Sequence, residues 1–550
     1  MGTAWNFRGL GRTAAGIAAS GLIGSVGLVA GGAPAAALQA SGPELAVYEV
    51  RASGLTQEQA ATLQRAFGLR TIERDASGSV RFSDERAFLN VPTIDRGQGT
   101  PDEDGNATVA TAIDLDALGK LTPIGQADAL ARTARALESA GLRPAGASAA
   151  ASHSTLEVVD TKGTQLASAA LDTTVTYSFT LGGVPHVGAG AKIRVAYDGD
   201  GAVTQLAYST RTLAPAGSMP VLDLAGGRQR CSAALPGAAT MLASYAYEAP
   251  KLAHRVSRLE PSFRCEGFTA DGSPMQVLFV PAGISVPLPP PSAPPATPRS
   301  TQLAAPVQPT AQSTQSTQAG VINVGSEGTG VCSGLDHTGT NLDSFNDEFS
   351  SRGIPVEFSW LDGSAWERDW KDAAFGGNDD DWTDAVDMAY WQGHGTATGF
   401  MFDGCSNIDD DFMANTEARW GNQHAEWMSL FTCSILKQES GGKQWWQRWG
   451  DAFHGLHQIN SFNSVSYHSS DHGSQYGNYL LRNSNPKTVK NAWAWASIDD
   501  QPSEVKFASM GPVSQAGMVN INDYFWGKGP VGPDVPHSQL TAWWYLTGSS

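Results

Sequence analysis

Val386-Asp387-Met388-Ala389-Tyr390-Trp391, followed by Gln392-Gly393-His394-Gly395, is the stretch on which the fold turns. The first six residues form a short apolar-rich run that reads as a strand, and the Gly-flanked His stops it. A second run, Ala425-Glu426-Trp427-Met428-Ser429-Leu430-Phe431, stops the same way at Thr432-Cys433-Ser434. A His-Gly therefore ends one strand and a Cys ends the next, 39 residues on. In a parallel sheet both ends lie on the carboxyl edge, where open α/β sheets bind their ligands. A thiol and an imidazole brought together there are the parts of a cysteine-nucleophile site.

The surrounding pattern extends this reading. Val321–Val324 is the expected first strand, Thr340–Arg352 a helix with Leu342, Phe345 and Phe349 on one face, and Pro355–Trp360 the next strand. Helices are expected at Trp366–Ala374, Lys443–His454, Tyr476–Leu481 and Val489–Ala496, and a strand at Leu456–Ile459. Short strands alternating with helical stretches predict an α/β domain over 321–550, with a mainly parallel sheet flanked by helices.

Upstream, 287–320 is a linker: Pro287-Leu288-Pro289-Pro290-Pro291 favours extended geometry and Gln312–Gln318 is polar and low in complexity. Such backbone is a natural site of proteolysis, after which the halves are free to part. Residues 43–286 read as an α+β region. Thr56 and Gln59 make a capping box for a helix over Leu55–Leu69, and Pro123–Leu142 is a second helix with Ala127, Leu130, Ala134 and Leu137 on one side. Val175–Leu181 and Lys192–Tyr197 alternate as strands, and Asp198-Gly199-Asp200-Gly201 turns the chain into Val203–Tyr208. Residues 1–37 read as a secretory signal: Arg8 and Arg12, a small-residue apolar run, then Ala35-Ala36-Ala37. No later stretch approaches the ~20 apolar residues of a membrane span.

The net charge of −18 and pI near 5.0 argue against a nucleic-acid binder, which shows a basic face. Export permits disulfides. The five cysteines are an odd number, so at least one stays free or pairs outside the chain. Cys231 and Cys265 lie before the linker and are placed to pair; Cys332 and Cys405 lie after it and are placed to pair; Cys433 is left over, the residue the strand argument had selected.

With His394-Gly395 after one strand and Cys433 after the next, the region from about Val321 to Asp500 resembles the caspase-like superfamily of cysteine peptidases, with its caspases, legumains, gingipains and separases. The resemblance implies a secreted cysteine endopeptidase acting on peptides or proteins through a His394–Cys433 dyad, with the amides of Gly395 and Cys433 forming the oxyanion hole and no cofactor. Thr432 stands where the family usually has Ala or Gly, and Ile435 where Gly often follows. Thr173–Thr212 resembles α+β modules in the propeptides of secreted bacterial peptidases, which implies a pro- or accessory domain.

Other readings attach to other residues. Cys405 in Gly404-Cys405-Ser406 is a rival thiol, but it follows no comparable strand. His454/His457 and His468/His472 have spacings a metal can use, the basis of a zinc-hydrolase alternative, although no His-Glu-x-x-His occurs and no metal ligand is assigned. Asp379–Asp381 and Asp409–Asp411 are candidate calcium ligands or, more simply, solvated loops. Fifteen of the sixteen tryptophans follow the linker, which admits an inactive or Trp-rich binding module at the cell surface.

Overall fold

The computed structural model describes residues 41–102, 104–287, 321–402 and 410–550. The expected signal (1–37), all of the expected linker but Pro287, and Cys405 lie outside the described residues.

The main sheet contains, in chain order, β1 (Val80–Ser83), β2 (Ser148–Asp160), β3 (Gln165–Leu181), β4 (Lys192–Tyr197), β5 (Val203–Ser209), β6 (Val324–Gly328), β7 (Val356–Leu361), β8 (Met388–Gln392), β9 (Trp427–Phe431), β10 (Gln458–Phe462), β11 (Lys506–Ser514) and β12 (Leu540–Ser549). Five strands are parallel and lie in the spatial order β7-β6-β8-β9-β10. β11 then pairs antiparallel with β10, and β12 antiparallel with β11. β6, β8, β9 and β10 are buried along their whole length, as parallel strands covered on both faces are. The helices Thr338–Ser350, His472–Leu481 and Val489–Asp500 pack in the same core, the first through Leu342, Phe345 and Phe349. The C-terminal region is thus mixed α/β, as expected.

The sheet continues into the N-terminal region. β12 pairs antiparallel with β2 from Ala542 opposite Asp160 to Thr547 opposite Thr155, and the ladder runs on through β3, β4, β5 and β1. The core is continuous too: Phe88, Leu156 and Leu171 cluster with Trp493, Trp495 and Phe507. Arg194, buried in β4, donates from Nε to the Ser549 carbonyl at 3.0 Å. A cut between 288 and 320 is therefore expected to leave both fragments in one particle. Gel filtration of the nicked chain checks this; co-elution in buffer and separation only in denaturant is the expected result.

Local expectations fare differently for physical reasons. The helix Gln57–Ala66 carries the capping box, Thr56 Oγ1 accepting from the Gln59 amide at 3.2 Å and Gln59 Oε1 from the Thr56 amide at 2.9 Å. The β4–β5 hairpin forms around Asp198, whose Oδ1 accepts from the Asp200 and Ala202 amides. The helix Gln126–Ser139 buries Ala129, Thr133 and Leu137, so its inward stripe is rotated away from Ala127, which is exposed. The first parallel strand is Val324–Gly328 rather than Val321–Val324. Its Ser326 and Glu327 hide it from an apolar pattern, and its Gly325 leaves room for the Phe358 ring, 2.0 Å from where a Cβ would stand. Trp366–Ala374 forms only 3₁₀ turns, at Glu367–Asp369 and Ala373–Phe375. There the buried Glu327 carboxylate accepts the Trp366 amide at 2.6 Å and the Trp370 indole N–H at 2.5 Å, so the loop wraps an acceptor instead of closing helical bonds. Lys443–His454 shortens to a helix over Trp445–Trp449 and a 3₁₀ turn over Gly450–Ala452. No helix among the described residues is long and apolar enough to cross a membrane.

Candidate active site

Register puts the two selected residues at one level. In the parallel pair β8–β9, Gln392 lies opposite Phe431. His394 and Cys433 each follow two residues later, on the carboxyl edge, with neighbouring strands ~4.8 Å apart. The two strand-end loops touch: a Cβ on Gly395 would stand 2.3 Å from Thr432 Oγ1, so only glycine fits there. Thr432 Oγ1 is itself buried without a hydrogen-bond partner. Ser434, next after the cysteine, has φ 60°, a left-handed conformation that costs a non-glycine residue on the order of 1 kcal/mol or more. The turn Thr432-Cys433-Ser434 is thus held sharply, and Ser434 is anchored by its amide to the Ser464 carbonyl at 3.0 Å.

The edge is covered by the N-terminal region. The strands Ser262–Phe268 and Leu278–Pro281 form an antiparallel hairpin, and its tip, 269–277, reaches over β8 and β9. Met275 and Thr269 of that tip, with Pro236 and Gly237, close one side of a cavity of about 250 Å³; Cys332, Ser333, His394 and Met401 close the other. Gln276 is wholly buried. Its amide donates to His394 Nδ1 at 3.2 Å, and its side-chain Nε2 donates to the Phe431 carbonyl at 3.0 Å. Val277 runs parallel to Tyr467, with its amide 3.0 Å from the Ser466 carbonyl and its carbonyl 2.9 Å from the His468 amide. A short extended peptide of the chain itself thus lies along the carboxyl edge. The disulfide Cys231–Cys265, with Cα atoms 5.4 Å apart, ties the base of this hairpin to the helix Leu224–Ala234, as the cysteine spacing led us to expect.

Backbone partners fix the imidazole tautomer. The Ser333 carbonyl, 3.0 Å from His394 Nε2, can only accept, so Nε2 carries the proton; Nδ1 accepts from the Gln276 N–H. Both nitrogens are occupied. Burial, with the nearby His468 adding to it, pushes His394 down to about 4, so the ring is neutral near pH 7. Cys433 is fully buried; its Sγ accepts from the Ser466 amide at 3.3 Å and lies 3.6 Å from Ser466 Oγ. Burial pushes the thiol up to about 11, against the opposing pull of the Ser466 contacts. In this arrangement Cys433 is held as S–H and is no ready thiolate.

The remaining candidates scatter. Cys332 is disulfide-bonded, and Cys433 is a free, buried cysteine. The His454/His457 pair separates: His454 stacks on His537, while buried His457 bonds Asp523 at 2.7 Å and Asp534 at 3.0 Å. Burial opposes charge on His457, but these two carboxylates outweigh it and raise the ring to about 9, a structural ion cluster. His472 is buried, with its Nδ1 3.2 Å from the Tyr390 hydroxyl. Asp379, in the turn Asp379–Asp381, is buried, and burial with the charges of Asp384, Asp372 and Asp380 raises it to about 9. Of the tryptophans among the described residues, Trp360, Trp382 and Trp446 are half-buried and the others are buried. The residues that sequence reasoning missed are Gln276, Ser333 and Ser466. Each acts through its backbone or from a distant segment, and no local pattern marks such a residue.

Residues 323–548 match the family described as "Domain of unknown function (DUF6345)". No curated protein and no solved structure matches the chain.

Proposed function

We propose that the chain is a secreted, caspase-like cysteine peptidase held in a closed state by its own hairpin tip. The observation that carries the reading is the pairing of two facts at one edge. His394 and Cys433 follow adjacent parallel strands in equal register, and the chain segment bonded along that edge is an extended peptide. An edge that pairs main chain to main chain with Val277, and meets the Gln276 N–H with the His394 ring, recognises peptide backbone, by the strand-addition mode other peptide-binding sheets use. When the tip lifts, Cys433 passes its proton to the freed Nδ1 of His394 and attacks a peptide carbonyl carbon. The oxyanion is held by the amides of Gly395 and Cys433, and His394 delivers the proton to the departing amine. Water then hydrolyses the thioester and restores the thiol.

The opposing reading, an inactive relative that binds without cutting, draws on the same closure: both His394 nitrogens are spent and the thiol is buried. A pooled peptide library with mass-spectrometric readout separates them. The wild type is expected to cut slowly or not at all, and the chain with Gln276→Pro to cut; silence from both supports the binding reading. Thiol alkylation adds an independent check. Native Cys433 is expected to react far more slowly than a free thiol of pKa about 8.5, at a rate set by opening of the tip, and Gln276→Pro to speed it.

A further inference from the structure

We propose that Asp336, His337 and His468 form a binding site for one divalent transition-metal ion of the zinc class. The inference stands independently of the peptidase reading. Asp336 and His337 precede the helix Thr338–Ser350, in the connection that follows β6; His468 lies in the segment after β10. Both belong to the carboxyl edge. Neither was marked by the His468/His472 spacing, because the partner of His468 comes from 131 residues away in sequence.

The geometry suits an ion. His468 Nε2 lies 3.4 Å from Asp336 Oδ1, and His337 Nδ1 lies 3.8 Å from the same oxygen. One ligand atom from each residue falls within 4.8 Å of the others, and the two imidazoles stack with centroids 5.1 Å apart. Ligands at the usual ~2.0–2.2 Å from a tetrahedral zinc stand about 3.4 Å from one another. The His468 side chain is 4% exposed, while Asp336 and His337 are 52% and 57% exposed: one fixed anchor and two arms that close from the solvent side.

The contacts of the His468 ring point the same way. The His337 amide donates to His468 Nε2 at 2.8 Å. A backbone N–H only donates, so Nε2 bears a lone pair. The Asp336 carboxylate lies 3.4 Å from the same nitrogen, and the Gln392 amide lies 3.4 Å from Nδ1 on the far side of the ring. Nε2 is thereby already turned toward the two other ligands. On binding, Nε2 exchanges the His337 N–H for the metal, and the exposed His337 ring turns to supply its nitrogen. Two imidazoles and one carboxylate select a borderline ion such as Zn²⁺ over Ca²⁺ or Mg²⁺, which take oxygen ligands. Three protein ligands leave a fourth position for water or another ligand. Because the His468 amide holds the Val277 carbonyl at 2.9 Å, an ion on His468 also stiffens the segment that covers His394.

The test uses the full chain, expressed without a polyhistidine tag and stripped with chelator. Co²⁺ is titrated in, followed by visible absorption, and displaced with Zn²⁺. One equivalent with the intense absorption of a four-coordinate ion is expected. His337→Ala and Asp336→Asn, both at exposed side chains that the fold tolerates, are expected to weaken binding by more than the roughly 10–100-fold that loss of an outer-shell partner costs. His468→Gln is expected to abolish it, with circular dichroism reporting whether that variant folds. Failure of the wild type to take up Co²⁺ or Zn²⁺, or unchanged affinity in both His337→Ala and Asp336→Asn, overturns the site.

Discussion

Gln276→Pro is expected to turn a chain that cleaves peptides poorly into one that cleaves them, and Cys433→Ala in that background to abolish cleavage. Proline at 276 removes two bonds at once: it has no N–H for His394 Nδ1, and no side-chain amide for the Phe431 carbonyl. What remains of the segment is held at Val277 by the Ser466 carbonyl and the His468 amide, bonds at the end of a hairpin tip rather than inside a sheet. His394 regains a free nitrogen, water entering the cavity of about 250 Å³ relieves the burial that holds the ring near 4, and release of Val277 from Ser466, the residue against Cys433 Sγ, opens the thiol that burial holds near 11. Both groups then move toward their ordinary values, where proton exchange between them is cheapest. In the same background His394→Ala is expected to lower the rate by roughly 10²–10⁴, the usual worth of a positioned general acid–base. The readout is the peptide library, run with reductant and with and without chelator. Cleavage that survives Cys433→Ala and dies with chelator transfers the activity to a metal centre. Absence of cleavage in Gln276→Pro, with the variant folded, removes the peptidase reading.

How much of this was legible in the sequence depended on where the determining contacts lie. The two runs ending in His394-Gly395 and Cys433 declared themselves, because a buried parallel strand is a local apolar run and a sharp turn needs local residues. Cys231–Cys265 was legible as a spacing. The strands β2, β11 and β12 were not. Ala149, Ala150 and Ala151 in β2 carry little strand signal, and their place is set by pairing with distant segments. Gln276 was illegible for the same reason: a glutamine in Ser273-Pro274-Met275-Gln276-Val277 reads as loop. Only the fold lays it between His394 and Phe431. The polar lining of the edge, Ser333 and Ser466 included, is chosen by three-dimensional neighbours and leaves no period.

Arg81→Met is expected to destabilise the fold by about 3–5 kcal/mol near neutral pH, the cost of removing one partner from a buried ion pair. Arg81, in β1, donates from Nε to Asp499 Oδ1 at 2.7 Å, across the junction between the N-terminal strands and the helix Val489–Asp500. The Asp499 side chain is 5% exposed and also accepts from the Tyr479 hydroxyl at 2.5 Å. Burial alone would raise its carboxyl; the charge and hydrogen bond of Arg81, with smaller help from Lys251 and Tyr479, outweigh burial and hold it below the ordinary range. A carboxylate depressed in the folded state stabilises the fold above its unfolded pKa of about 3.9, and that contribution fades as pH falls through the folded value. In Arg81→Met the sign reverses. Burial now dominates, Asp499 titrates above its unfolded value, and acidification that protonates it relieves the penalty. The gap between wild type and variant in urea midpoints is therefore expected to narrow from pH 7 toward pH 5, and a gap independent of pH sinks the assignment. Asp499→Asn on its own is expected to cost less than Arg81→Met. Arg81 keeps Asp75 at 3.2 Å and is 18% exposed, so its charge retains a partner and water, whereas Asp499 without Arg81 keeps only the weaker pull of Lys251 and almost no solvent. Adding Asp499→Asn to Arg81→Met is accordingly expected to recover part of the lost stability, because it removes the stranded charge and leaves an amide that Tyr479 still reaches.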